Sequence, residues 1–254
     1  MKALVPCVVT VLLLAGCAGL PMAAGEDDAM AQAVEPSLRA AAANAETTRD
    51  YRGAAQHWNT LYQRHPRDKT VALPLARNLR YAGETQQAID LMQTQLGLAP
   101  KDPDLLTELG KDYLAADRVV LAVRTLEEAR GAAPGQWEVH SALGVTYDVQ
   151  GRTPDAAAAY ARALELSPDN PVVLNNLGLS QALAGQLEQA AATLSRAAES
   201  PRATTQVRQN LALIMALQGR GDEAERMARR DLPPDMARDN AEILKALARS
   251  AQRP

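Results

Sequence analysis

The side chains best suited to catalysis or metal binding are few in this chain: Cys7, Cys17, His57, His65 and His140. The H-E-x-x-H motif of zinc proteases places two histidines on one face of a helix, and no pair of these histidines has that spacing. The sequence also lacks a G-x-S-x-G nucleophile turn, a P-loop and a dinucleotide-binding glycine pattern in the context that each requires. We therefore predict a non-enzymatic protein that uses no metal, no cofactor and no small-molecule substrate.

Two asparagines have a spacing that suits binding. Asn176 and Asn210 lie in LNNLGL and RQNLAL, 34 residues apart. A side-chain amide carries both donors and acceptors, so it can pair with the two main-chain groups of an extended peptide without reading the peptide's sequence. The alternative is that each amide pairs only with a neighbouring loop of the protein. The choice depends on the elements that carry these residues.

The first element along the chain is an export signal. A positively charged start, a Val/Leu block preceded by Pro6 and small residues before Cys17 are typical of such signals. The apolar run is shorter than the ~20 residues of a membrane span. The tetrapeptide LAGC at 14–17 resembles the lipobox of bacterial lipoproteins, which implies removal of residues 1–16 and a lipid anchor at Cys17. An ordinary signal with a cysteine by chance is the alternative.

The composition favours helices packed on helices. Aromatic residues make up 3% of the chain, phenylalanine is missing, and alanine and leucine, both strong helix formers, are abundant. Once Cys17 carries lipid, no thiol remains for a disulfide. A net charge of -3 and the lack of a long basic run argue against a nucleic-acid partner.

A 34-residue repeat sets the architecture. Prolines stand at this interval at Pro66, Pro100, Pro134 and Pro168, and 34 residues is the period of tetratricopeptide repeats. Taking these prolines as position 32 of each unit leaves only glycine or alanine at positions 8 and 20. These residues are Ala42, Ala76, Gly110, Gly144, Gly178 and Ala212 at position 8, and Ala54, Ala88, Ala122, Ala156, Ala190 and Ala224 at position 20.

Small residues at these two positions let paired helices approach closely. Residues 35–238 thus resemble the tetratricopeptide-repeat family, which implies an all-α superhelix of about six helical hairpins with a concave groove. Residues 17–34 show no periodicity and are expected to form a lipidated N-terminus with a flexible tether. Pro74 is expected to delay or kink the first helix of the second repeat. A capping helix is expected in 239–254, with Asp235 as its N-cap and one apolar face of Met236, Ile243, Leu244 and Leu247.

The predicted groove is lined by positions 2, 5, 9 and 12 of the first helix of each repeat. The lining is uncharged in the carboxyl-terminal half, where it consists of Val172, Asn175, Leu179, Ala182, Gln209, Leu213 and Ala216. It is charged in the middle, at Asp104, Lys111, Glu138 and Asp148. We predict that an extended or helical peptide binds to Asn175, Asn176, Leu179, Gln209, Asn210 and Leu213.

A closer resemblance concerns the whole chain. A lipobox, about six repeats and the closing segment RRDLPPDMARDNAEILKAL together resemble the tetratricopeptide lipoprotein of tight-adherence (Flp) pilus systems. The resemblance implies a pilotin-like factor that assembles or localises the secretin, so its partner is the secretin or another pilus component. Ala18, and not an aspartate, follows the lipidated cysteine. In this the chain resembles lipoproteins that are sorted to the periplasmic face of the outer membrane. The alternatives are a pilotin of ordinary type IV pili and an adaptor lipoprotein that recruits cell-wall hydrolases.

Overall fold

The computed structural model describes residues 24–230 and 240–246, and every regular element within these ranges is a helix. The helices are α1 (Ala24–Thr47), α2 (Tyr51–Arg64), α3 (Lys69–Tyr81), α4 (Thr85–Leu98), α5 (Pro103–Ala115), α6 (Val119–Ala132), α7 (Trp137–Val149), α8 (Thr153–Leu166), α9 (Pro171–Leu183), α10 (Leu187–Glu199), α11 (Thr205–Leu217) and α12 (Gly221–Ala228). A further helix, α13, covers 240–246. The predicted signal and Cys17 lie outside the described residues.

The helices follow the predicted period. From α3 onward, the first helix of each hairpin begins 34 residues after the one before, and the second helices keep the same interval from α2 to α12. Three first helices begin after a side chain that accepts a hydrogen bond from the backbone of the first turn; these caps are Asp68, Asp102 and Asn170. The predicted all-α superhelix of six hairpins with a closing helix is confirmed.

Each hairpin turns at position 15, where the backbone has a positive φ in all six repeats. Glycine occupies four of these turns, at Gly83, Gly151, Gly185 and Gly219. Arg49 and Asp117 occupy the other two, with φ of 61° and 58°. A left-handed residue with a Cβ costs roughly 1–2 kcal/mol, so the packing of the first and third hairpins must offset local strain.

The small residues at positions 8 and 20 lie where the two helices of a hairpin approach closely, as their spacing predicts. All twelve residues at positions 8 and 20 are buried. A Cβ added to Gly144 would lie 2.5 Å from Cε1 of Tyr160, and one added to Gly110 would lie 2.5 Å from Cγ of Leu126. Position 8 is therefore glycine where the facing side chain of the second helix fills the space a methyl group would need.

The stack has an inner and an outer layer. Successive first helices contact each other, in the pairs α3 with α5, α5 with α7, α7 with α9 and α9 with α11. Among the described helices, the second helices make no comparable contact with one another. The first helices therefore form the tighter, concave layer and the second helices form the convex layer. None of the helices in the described ranges combines the length and the hydropathy that crossing a bilayer requires.

Two expectations about helix starts differ from the structure. Helix α1 begins at Ala24, so residues 24–34 of the expected flexible tether are helical, as the alanine-rich composition of this stretch favours. Helix α3 begins at Lys69 despite Pro74, so the expected late start is wrong. Pro74 removes one backbone donor, and its carbonyl accepts a hydrogen bond from Nδ2 of Asn78 at 2.9 Å.

The closing helix packs with a different face from the expected one. Leu244 is buried against the last hairpin and Ala241 is also buried, whereas Ile243 is 60% exposed. Residues 241 and 244 lie on one side of a helix and residue 243 lies on the other, so the expectation for Ile243 is wrong. Asp235, Met236 and Leu247 lie outside the described residues.

Candidate functional site

Three asparagines and a serine form a hydrogen-bonded row across the inner helices α7, α9 and α11. Nδ2 of Asn210 donates to Oδ1 of Asn175 at 2.8 Å, and Nδ2 of Asn176 donates to Oγ of Ser141 at 3.2 Å. Nδ2 of Asn175 donates to Oδ1 of Asn176 at 3.4 Å, which joins the two pairs. We call Ser141, Asn175, Asn176 and Asn210 the amide row. Its partners lie on neighbouring inner helices, and the alternative of pairing with a loop does not describe it.

The amide row keeps hydrogen-bonding capacity. A side-chain amide has two N–H groups and two carbonyl lone pairs. Asn210 gives one N–H to Asn175 and accepts one hydrogen bond, from Nε2 of Gln206 at 3.0 Å. Within the described residues, Asn175 and Asn176 likewise each donate once and accept once. Each asparagine is half-exposed, so each can offer one further donor and one further acceptor to a bound chain.

Apolar side chains flank the amide row. Leu179 and Leu213 follow their asparagines by three residues, which places them on the same helix face. Leu179 is half-buried and Leu213 is 37% exposed. Val172, at the start of α9, is also exposed. Together these residues present a mixed surface of amides and aliphatic groups, which suits the main chain and apolar side chains of a peptide.

Gln209 and Ala216 face the closing elements instead of the open groove. Nε2 of Gln209 donates to the Ala228 carbonyl at 3.1 Å, and its Oε1 accepts from Nδ2 of Asn240 at 3.0 Å. Ala216 is fully buried. Where a further hairpin would stack on the last repeat, α13 is present instead: Asn240 contacts α11, and Leu244 packs against the last hairpin. Gln209 is thus engaged within the protein, and its contact with a peptide stays a prediction. The burial of Ala216 removes it from the expected groove lining.

Two of the three carboxylates in the middle of the groove, Asp104 and Asp148, are held by the protein, whereas Glu138 is exposed. Asp104 accepts from Nζ of Lys69 at 2.9 Å and from Nε2 of Gln136 at 3.1 Å. Asp148 accepts from Oγ of Ser180 and from the hydroxyl of Tyr160, both at 2.8 Å. Burial and this bond to Asp148 raise the pKa of Tyr160. These charges therefore join neighbouring helices before any ligand is considered.

A buried charged cluster between α3 and α5 is missing from the predictions. Nη1 of Arg80 lies 2.6 Å from Oε1 of Glu108 and 2.5 Å from Oδ1 of Asp112, with side chains that are 10%, 3% and 0% exposed. Oδ2 of Asp112 has no hydrogen-bond partner among the described residues. Burial raises the pKa of Asp112 to about 7. Although burial also acts on Glu108, the positive charges of Lys111 and Arg80 hold its pKa below the ordinary value.

A spacing of 32 residues marks this cluster and two similar links. Position 12 of one inner helix meets position 10 of the next in three pairs: Glu46 with Asn78, Arg80 with Asp112, and Asp148 with Ser180. Polar pairs at this interval in the sequence would have revealed the links. Their role is to fix one inner helix against its neighbour.

The histidines make local contacts. Nε2 of His65 lies 2.5 Å from Oε1 of Glu35, and Nε2 of His140 lies 2.9 Å from the Pro134 carbonyl. His57 is half-buried on α2. No group of three or more potential metal ligands occurs in the ranges that the structure describes.

The repeats match tetratricopeptide-repeat families at residues 107–171, 150–209 and 206–230. These matches cover the third to sixth hairpins, which include the whole amide row. No curated protein sequence matches the chain at a significant level.

Three solved structures share the architecture. TTC0263, a thermophilic tetratricopeptide-repeat protein of Thermus thermophilus, has a TM-score of 0.62 at 23% identity, covering 72% of this chain and 100% of that chain. PilW, described as a widely conserved type IV pilus biogenesis factor, has a TM-score of 0.60 at 18% identity, covering 83% and 98%. A tetratricopeptide-repeat protein from Parabacteroides merdae has a TM-score of 0.53 at 13% identity, covering 86% and 93%. At these identities the likeness shows the fold.

Proposed function

We propose that this tetratricopeptide-repeat superhelix is a non-enzymatic scaffold that binds a segment of a protein partner along its inner surface. The observation that carries the proposal is the amide row, in which three asparagines keep a free donor and acceptor beside Leu179 and Leu213. A peptide backbone needs both kinds of group along its length. The row provides them at fixed positions because its side chains already hold one another in place.

Replacing two of these amides tests the binding surface. Asn176→Ala combined with Asn210→Ala should weaken partner binding about tenfold, because two hydrogen bonds to the bound main chain are lost at roughly 0.5–1.5 kcal/mol each. Asn59→Ala is the matched control, since Asn59 is exposed on the outer helix α2. Affinity is measured by fluorescence anisotropy with a labelled partner segment. An unchanged affinity of the double variant would contradict the groove assignment.

We further propose that the protein acts at the periplasmic face of the outer membrane, held there by lipid on Cys17. The support is the LAGC tetrapeptide at 14–17 behind an export signal. Globomycin should make an unprocessed form accumulate, and Cys17→Ser should release the protein from the membrane fraction. Membrane association that neither treatment alters would remove the anchor from the proposal.

The process we propose is pilus assembly, with a pilotin-like role toward the secretin of a tight-adherence (Flp) system. The support is the lipobox, the six repeats and the closing segment RRDLPPDMARDNAEILKAL, which together resemble that family. A role in ordinary type IV pili is the second candidate, because PilW, whose fold is similar, is described as a type IV pilus biogenesis factor.

Deletion of the gene distinguishes these roles from recruitment of cell-wall hydrolases. Loss of heat-resistant secretin multimers, restored by the wild-type gene, is the result that the pilotin-like role predicts. The affected secretin, that of the Flp system or that of type IV pili, identifies the process. Normal multimers together with altered peptidoglycan processing would instead support the hydrolase adaptor.

A further inference from the structure

We infer that the inner groove selects an extended peptide in which an apolar segment lies near acidic residues; this rests on the proposed function. The inference comes from position 9 of five successive inner helices. That position reads Arg77, Lys111, Val145, Leu179 and Leu213 from α3 to α11. The column is thus cationic in its first part and aliphatic in its last part.

The two cations of the column can accept a partner's charge. Arg77 is exposed, and its positive charge acts together with those of Lys111 and Arg80 on the single buried carboxylate of Glu108. Nζ of Lys111 lies 3.5 Å from Oε2 of Glu108, which is a long contact, and that carboxylate already binds Arg80 at 2.6 Å. A carboxylate from a partner would therefore meet two cations whose charge is incompletely compensated.

The nearby acids are engaged elsewhere. Glu108 and Asp112 are buried with Arg80. Asp104 is bound to Lys69 and Gln136, and it lies seven residues from Lys111 on α5, about 10 Å along the helix axis. These three acids are thus directed to other partners. Glu138 is exposed at position 2 of the next inner helix, α7, so the cationic part of the column is limited to α3 and α5.

The other end of the groove excludes charge. Positions 2, 5, 9 and 12 of α9 and positions 2 and 9 of α11 carry no charged residue. A charged peptide side chain placed there would lose hydration without gaining an ion pair, whereas an apolar side chain would gain from burial against Leu179 and Leu213. The amide row runs beside both leucines and can hold the main chain of the same segment.

The repeat spacing sets the distance between the two parts of the peptide. Neighbouring packed helices are roughly 8–10 Å apart, and an extended chain advances about 3.3 Å per residue, so each inner helix corresponds to about three peptide residues. Lys111 and Leu179 are two inner helices apart. We therefore place the acidic residues about six positions from the centre of the apolar segment.

Selection from a library of random peptides tests the inference. Peptides of about 16 residues are used, since an extended chain needs only about 11 to cross five inner helices. Purified wild-type protein should enrich peptides that have an apolar cluster and an acidic residue about six positions away. Arg77→Glu combined with Lys111→Gln should bind those peptides about tenfold more weakly and should select basic residues at the acidic position.

The control is Arg124→Glu, which makes the same charge reversal at an exposed residue of the outer helix α6. It should select the same peptides as the wild type. Enrichment of apolar peptides without an acidic preference, or a preference that the Arg77 and Lys111 variant leaves unchanged, would overturn this inference alone. If no enriched peptide loses affinity for the Asn176→Ala, Asn210→Ala variant, the proposed groove itself is wrong.

Discussion

Asp112 should make the protein lose stability as the pH rises from about 5 to about 8. Its carboxylate is buried between α3 and α5 and shares Arg80 with Glu108. Burial raises its pKa from the ordinary 3.8 to about 7, and the negative charge of Glu108 acts in the same direction. The folded protein therefore keeps a proton over a range of pH in which the unfolded chain has released it.

The direction and the size of the change in unfolding free energy follow from this difference in bound protons. Where the folded state binds more protons than the unfolded state, the free energy of unfolding falls as the pH rises, by about 1.4 kcal/mol per pH unit for one proton. Between pH of about 5 and about 8 the loss from Asp112 is on the order of 2–3 kcal/mol. Asp112→Asn has nearly the same shape and no charge to lose. Its Nδ2 would stand where Oδ2 lacks a partner among the described residues.

Urea unfolding followed by circular dichroism at the two pH values measures the effect. Between these two pH values, the wild type should lose on the order of 2–3 kcal/mol more unfolding free energy than Asp112→Asn does. Asp90→Asn serves as the control because Asp90 is exposed on the outer helix α4, and it should behave as the wild type does. Equal pH dependence of the wild type and Asp112→Asn would refute the assignment of a proton to the buried cluster.

Three further changes probe the packing and the turns, each measured by urea unfolding at neutral pH. Arg80→Met should lower the free energy of unfolding by about 3–5 kcal/mol, because it leaves the buried Glu108 and Asp112 without their cation. A decrease of less than about 1 kcal/mol would contradict this. Gly144→Ala should cost about 1–3 kcal/mol, since its Cβ would lie 2.5 Å from Cε1 of Tyr160, whereas an unchanged stability would show that the two helices separate freely. Asp117→Gly should stabilise by up to about 1 kcal/mol by relieving a φ of 58°, and destabilisation would show that the aspartate side chain supports the turn.

The 34-residue repeat in the sequence is enough to predict most of the fold. Four prolines and two columns of small residues set the register of six hairpins, because close helix packing tolerates only glycine or alanine at positions 8 and 20. The turns were less predictable, since Arg49 and Asp117 adopt a left-handed backbone that is usual for glycine. The expected late start of α3 is wrong because a proline in the second turn removes one hydrogen bond without ending the helix.

The candidate site was predictable in part. Asn176 and Asn210 stood out by their spacing, and the structure joins them through Asn175. Gln209 occupies a groove position in the register, yet it binds Ala228 and Asn240 because the array ends there. Which face meets the next unit depends on where stacking stops, and no local pattern encodes that.

Site-specific photo-cross-linking in the native cell tests the central claim most directly. A photoreactive residue at Leu213 would stand beside the amide row, and one at Arg124 would stand on the outer layer. We predict that the Leu213 position captures a protein partner after irradiation, that the Arg124 position does not, and that Asn176→Ala with Asn210→Ala suppresses the adduct. An adduct formed only from Arg124, or one from Leu213 that the double variant leaves unchanged, would contradict binding at the amide row.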